Sequence, residues 1–264
     1  MAIKKAYVET PSGQLHYRHA PGPGMPLVFF HRTPANSASF EKMMRLMDGE
    51  RPLYAFDTPG FGQSFDPPGM PSMAAYAGYM LAALDTLGLA RVHIFAHHTG
   101  THFATELAAA HPARVAALML NGIAYLTRQE RDNFRGLVKP PRAPDTDGAY
   151  LLDTWKSISN LFPAFDPELL PEEFCAALRA TRGREQAFAA VCDQDYPATL
   201  ARVASPILAT CAEDDMWRDV FDRIFVDRPD AKRVLLGPAK FFTPEYDAVR
   251  AVGVIRTFLD EIEG

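Results

Sequence analysis

RVHIFAHHTGTHFATELAAA, residues 91 to 110, is an apolar strand that turns sharply into an alanine-rich helix. At the turn the order is small, any, central, any, small: Ala96, His97, His98, Thr99, Gly100. A chain that passes from strand to helix in so few residues holds its apex in a strained backbone conformation and pushes the apical side chain out above the sheet. Only residues with little or no side chain fit two positions to either side. The spacing therefore predicts His98 at the apex. Centring the turn on Thr99 instead would put His97 and Thr101 at the flanks, and both are too large.

Working outward, a continuous apolar run LVFFH at residues 27 to 31 has the pattern of a parallel strand covered on both faces. Residues 4 to 9 and 13 to 19 flank a turn at Gly13 and read as a hairpin, followed by a Pro/Gly linker over 21 to 26. Further strands are predicted at 53 to 56, 115 to 121, 206 to 211 and 233 to 236. Helices are predicted at about 39 to 47, 72 to 87 and 244 to 262. In the last helix the apolar positions 249, 252, 255, 258, 259 and 262 are expected to pack on the sheet. This alternation implies an α/β class with a doubly wound, mostly parallel sheet and an N-terminal antiparallel hairpin. From 122 to 202 the strand rhythm stops. That segment mixes a charged, proline-rich piece (139 to 147) with helical pieces carrying Tyr150, Trp155, Phe162 and Phe165, and it reads as a helical lid inserted into a core of 1–121 and 203–264.

A chain of 264 residues with 48% hydrophobic content supports one substantial core. Its net charge of -5, with signs mixed along the chain, offers neither a basic patch for nucleic acid nor a polybasic membrane tether. The N-terminal stretch has no apolar run of signal-peptide type and no segment approaches bilayer length, so a cytoplasmic location is expected. Cys175, Cys192 and Cys211 lack metal-ligand spacing and are expected to be reduced thiols. Nothing points to a particular oligomeric state.

Three ordered landmarks carry a resemblance. His31-Arg32-Thr33-Pro34 looks like an HGxP oxyanion loop, residues 57 to 64 (DTPGFGQS) match a DxPGxGxS loop, and Ala96 to Gly100 occupies a nucleophile elbow. In this order and spacing the chain resembles the α/β-hydrolase superfamily, particularly its epoxide hydrolase, haloalkane dehalogenase and carbon-carbon hydrolase branches. The resemblance implies a nucleophile, an acid and a histidine in that chain order. It departs at two of the three. His98 stands where relatives carry Ser, Asp or Cys, and the segment 236 to 242 (LGPAKFF), where the histidine belongs, has Lys240 nearest its place. The acid falls in residues 212 to 215, with Asp215 the best match and Asp214 and Glu213 as rivals.

These departures shape the expected chemistry. Lys240 beside carboxylates stays protonated, since its ordinary pKa of about 10.4 is raised further by negative charge, so it is expected to form an ion pair or to hold a substrate anion. A histidine with an ordinary pKa of about 6.5 needs no partner base, and His98 is expected to act as general base or nucleophile on a small carbonyl or carboxylate compound, by lyase-type or hydrolytic chemistry. The resemblance places oxyanion donors at the backbone amides of Thr33 and Thr99. Arg32, in place of the family's glycine, either reaches a substrate anion or pairs with Asp57 or another carboxylate. Substrate contacts are also expected from His31, Trp155 and Trp217, while His93, His97 and His102 are read as structural. No metal or cofactor is expected. Two other readings remain: a ligand-binding or sensor protein on the same fold, and an ordinary esterase with a displaced triad using Ser64 or Cys211.

Overall fold

The computed structural model describes residues 3–137, 143–162 and 166–264. Phe165 and the first part of the charged, proline-rich piece (139 to 142) lie outside the described residues. β1 (Lys4–Thr10) and β2 (Gly13–Ala20) form the antiparallel hairpin. Then follow β3 (Leu27–Phe30), α1 (Glu41–Leu46), β4 (Leu53–Phe56), α2 (Met73–Thr86), β5 (Val92–His97), α3 (Thr99–Ala110) and β6 (Val115–Asn121). After a helical segment come β7 (Ile207–Ala212), α9 (Arg218–Phe221), α10 (Ile224–Asp227), β8 (Lys232–Leu236), α11 (Thr243–Tyr246) and α12 (Ala248–Glu263). The eight strands form one sheet in the order β1-β2-β4-β3-β5-β6-β7-β8, antiparallel at the first two pairings and parallel thereafter.

Both faces of this sheet are covered, which is why its central strands read as unbroken apolar runs. Successive residues of β3 point to opposite faces. Val28 and Phe30 join the core beneath α2 and α3, while Leu27 and Phe29 join the core beneath α1 and α12. In α12 the stripe is Ala248, Ala251, Val252, Ile255, Phe258 and Leu259, and Val249 is exposed, contrary to the expectation for that position. Ala248 and Ala251, one before it and two after, already fill the buried stripe, so Val249 is turned to solvent. The helix also starts later than expected, because Asp247 leaves the helical conformation and separates α11 from α12.

Between β6 and β7 lie α4 (Arg128–Leu137), α5 (Ala149–Ser159), α6 (Leu169–Arg179), α7 (Thr181–Asp193) and α8 (Tyr196–Leu200). Both ends of this segment are rooted in the main core, through Ile123 and Tyr125 at one end and Val191, Tyr196 and Leu200 at the other. Its middle forms a smaller cluster in which Ile158, Phe162 and Leu170 pack with Phe242. No helix among the described residues is long and apolar enough to cross a membrane.

Candidate active site

His98 sits at the end of β5 with φ 47 and ψ −113, the only non-glycine residue besides Lys240 with positive φ among the described residues. That strain exists because the helix must start at once. Gly100 allows it, since a Cβ there would lie 2.5 Å from the Phe30 carbonyl oxygen. Ala96 is fully buried on the other side.

The imidazole of His98 donates from Nε2 to Asp215 Oδ2 at 2.8 Å. An ionised carboxylate only accepts, so this bond places the proton on Nε2 and the lone pair on Nδ1. Nδ1 has no hydrogen-bond partner among the described residues and is not enclosed, so it opens on the cavity that His98 lines. The other oxygen of Asp215 accepts from the Trp217 backbone amide at 2.8 Å, and the carboxylate is wholly buried. The two side chains meet only because position 122 is glycine: a Cβ on Gly122, whose φ is +66, would lie 2.4 Å from His98 Nε2 and 3.0 Å from Asp215 Oδ2. Gly122 escaped the sequence reading, because nothing local marks a glycine whose purpose is to let two distant side chains touch.

A cavity of about 380 Å³ opens in front of His98. Thr33 and Thr99 line it, and their backbone amides have no acceptor among the described residues. Thr99 is the first residue of α3, where an amide has no intrahelical acceptor and the helix dipole favours negative charge. Trp217, Phe241, Phe134 and Phe188 give the cavity aromatic walls.

Several expected site residues are placed otherwise. Lys240 Nζ donates to the Phe162 carbonyl at 3.2 Å, and its backbone amide, like that of Ala239, donates to Asp214 Oδ1 at 2.8 Å. Lys240 thus fastens its loop to the helical segment and makes no ion pair with Asp215. Phe241, the next residue, turns its ring edge-on to His98 with centroids 5.8 Å apart. Trp155 packs against Phe174 and does not line the cavity, being held away by α6. His31 is also outside it: Nδ1 donates to the Arg32 carbonyl at 2.7 Å and Nε2 accepts from the Thr58 amide at 2.9 Å, so both nitrogens are spent on shaping the loop. Burial lowers its pKa to about 4, against smaller raising contributions from the Arg32 carbonyl and Asp57, which keeps it neutral.

Arg32 lines the cavity, but its guanidinium lies 2.7 Å from Glu173 of α6 and stacks over Phe242 at 4.5 Å. Asp57 is not its partner. That carboxylate accepts from His16 Nδ1 and from the Ser37 and Gln63 amides, and these bonds outweigh burial to hold its pKa well below the usual range. Glu245, 4.0 Å from Arg32, is the second carboxylate of this buried group. Burial, opposed by Arg32 and reinforced by Glu173, raises its pKa to about 8.

Ser64 donates to the Asp57 carbonyl at 2.6 Å and accepts from the His16 amide, and Cys211 is enclosed within β7 with its thiol pKa pushed up by burial. Neither lines the cavity. His97, fully buried beside His98, has its pKa lowered by desolvation, with His98 and Arg32 adding to the shift. His102 donates from Nδ1 to Gln194 Oε1 at 2.6 Å, and burial lowers its pKa to about 4. Among the described residues no three His, Cys, Asp or Glu side chains are grouped so as to hold a metal ion.

Residues 25–146 match the family model of the alpha/beta hydrolase fold. RutD of Klebsiella pneumoniae (strain 342), which carries the name Putative carbamate hydrolase, is 28% identical over 221 residues, covering 77% of this chain and 79% of its own. The haloalkane dehalogenase of Agrobacterium fabrum is 32% identical over 97 residues, 37% of this chain and 32% of that one. Among solved structures, E-2-(acetamidomethylene)succinate hydrolase superposes with a TM-score of 0.81 at 19% identity, covering 98% of this chain and 100% of that chain. The enol-lactonase of Burkholderia xenovorans LB400 superposes with a TM-score of 0.76 at 19% identity, covering 97% and 100%.

Proposed function

The chain has the α/β-hydrolase fold, and from that premise we propose that it is an α/β-hydrolase-superfamily enzyme for a small carbonyl compound in which His98, backed by Asp215, is the general base. The observation that carries this reading is the 2.8 Å bond from His98 Nε2 to Asp215 with Nδ1 left open to the cavity. A serine enzyme of this superfamily uses three side chains so that an imidazole can take the nucleophile's proton. Here the imidazole is itself on the elbow and reaches the acid directly, so the third group is superfluous and Phe241 fills its room.

The names of the relatives favour hydrolysis. In the proposed step a water attacks the carbonyl carbon and His98 Nδ1 takes its proton. The carbonyl electron pair moves to oxygen, where the Thr33 and Thr99 amides receive the developing charge. Collapse of the adduct expels the leaving group, which recovers the proton from His98. Asp215 holds the ring orientation and stabilises the imidazolium between the two transfers. General-base action is favoured over covalent attack because Nδ1 adjoins the ring carbon that bears Cβ, which crowds an incoming carbonyl more than it hinders a proton. The helical segment between β6 and β7 serves as the cap that separates this step from bulk water.

The test is turnover of a panel of small activated esters and carbamates. His98→Ala and His98→Gln are expected to lower kcat by about 10²–10⁴-fold, the usual worth of a positioned base. A serine-directed phosphonate should leave the native protein unlabelled. Undiminished turnover in His98→Ala, or stoichiometric phosphonate labelling, would refute the assignment.

A further inference from the structure

Among the described residues two guanidinium groups line the cavity, and one of the two is neutralised. Arg32 is spent on Glu173, whereas Arg184 of α7 has no ion pair and no side-chain hydrogen bond among the described residues. No carboxylate among the described residues lines the cavity. Burial lowers the pKa of Arg184 and nothing near it raises it back, yet a guanidinium remains charged at any ordinary pH. Leaving a partly desolvated cation without a counter-charge costs stability, and a protein that keeps one beside an apolar cavity gains from it when an anion arrives.

The position of Arg184 is set in advance. Its neighbour Gly183 lies against Gly60 so closely that a Cβ on Gly183 would fall 2.2 Å from the Gly60 carbonyl oxygen. Gln186 donates to the carbonyls of Pro67 and Gly69 at 2.9 and 2.7 Å, locking the same turn of α7. The guanidinium carbon lies 5.6 Å from the centroid of the Phe188 ring, which also lines the cavity.

Extending the reading of His98 as a base acting on a carbonyl, we propose that Arg184 is the anion site of this pocket and that the substrate carries a carboxylate on an apolar body. The guanidinium fork pairs two parallel N–H donors with the two carboxylate oxygens. A singly charged group matches the one unpaired guanidinium that lines the cavity among the described residues, whereas a phosphate dianion would leave one charge uncompensated against it. The apolar body lies against Trp217 and Phe188 while the reacting carbonyl sits under the Thr33 and Thr99 amides.

Binding rather than turnover tests this, so the result does not depend on the role of His98. The probes are 3-phenylpropionate, 3-phenylpropionamide and phenyl phosphate, followed by calorimetry and by quenching of tryptophan fluorescence at Trp217. The native protein and His98→Ala are both expected to bind the acid at least about tenfold more tightly than the amide, the scale of a charge-assisted pair. Arg184→Gln should remove that preference while leaving amide affinity unchanged, Arg184→Lys should keep part of it, and the exposed Arg182→Gln should behave as the native protein. Equal affinity for acid and amide, a preference that survives Arg184→Gln, tighter binding of phenyl phosphate, or no saturable acid binding below about 10 mM would each overturn the proposal. Should Arg184→Gln bind neither compound, Arg184→Lys decides: a retained acid preference supports the site and a lost one removes it.

Discussion

Gly122 has no side chain at the point where His98 and Asp215 meet, and the pair depends on that. Gly122→Ala is expected to do two things at once: strain a backbone at φ +66 and drive a methyl group into His98 Nε2. The bond of 2.8 Å must then lengthen or break, leaving Asp215 buried without its imidazole. Turnover should fall about 10-fold or more, with a stability loss on the order of 1–3 kcal/mol. Proton-detected NMR of the imidazole Nε2–H checks the cause, because the downfield resonance of a carboxylate-bound imidazole should vanish from the variant. A variant that keeps both the resonance and the turnover would show that the two side chains have room to spare. At this scale the apex was legible from spacing, since the sizes of Ala96 and Gly100 are local facts. Gly122 was not, because its reason lies in a residue 93 positions away (215 − 122).

Helix α7 shows how a single glycine can place an element. Its backbone approaches the loop after β4 at Gly183, opposite Gly60, and Gln186 ties it to the same loop. A methyl group on Gly183 meets backbone atoms that cannot rotate away, so Gly183→Ala should lift the helix outward. The expected result is a modest fall in melting temperature, faster amide exchange through α7, and a loss of acid-over-amide binding preference comparable with that of Arg184→Gln. Unchanged exchange and binding would mean that the helix is held from elsewhere. Periodicity predicted helices in this segment without saying which face met the core. The same limit appears in α12, where Val249 fits a helical repeat yet is exposed, because Ala248 and Ala251 complete a stripe that the larger valine does not join. In the loop after β8, sequence position pointed to Lys240, but Asp214 turns the backbone so that the amine leaves toward Phe162 and Phe241 faces the imidazole.

Across the whole molecule, the buried group of Arg32, Glu173 and Glu245 joins the loop after β3, the segment between β6 and β7, and α11. It makes stability depend on pH with a definite sign. Glu245 has a folded pKa of about 8, above its ordinary 4.5, so the folded state holds a proton that the unfolded state releases. Its contribution is complete below the unfolded value and is lost as pH rises through about 8. Glu245→Gln removes this linkage, so the melting temperature of the variant should gain on that of the native protein, by several degrees, between pH 5 and pH 8, with the difference flat above. A difference that stays constant across that range would place Glu245 in water. What the sequence settled alone is what short-range sterics and periodicity dictate: the alternation of strand and helix, the hairpin, the doubly wound order, and an imidazole at the apex of the elbow. The tertiary structure alone decided who pairs with whom. In the sequence Arg32 and Lys240 are equal candidates and nothing singles out Arg184, and only packing between elements far apart in the chain gives the first a glutamate, the second a carbonyl and the third a place on the cavity wall. An ion pair depends on distance in space, and spacing along the chain constrains that distance only within one turn or one strand.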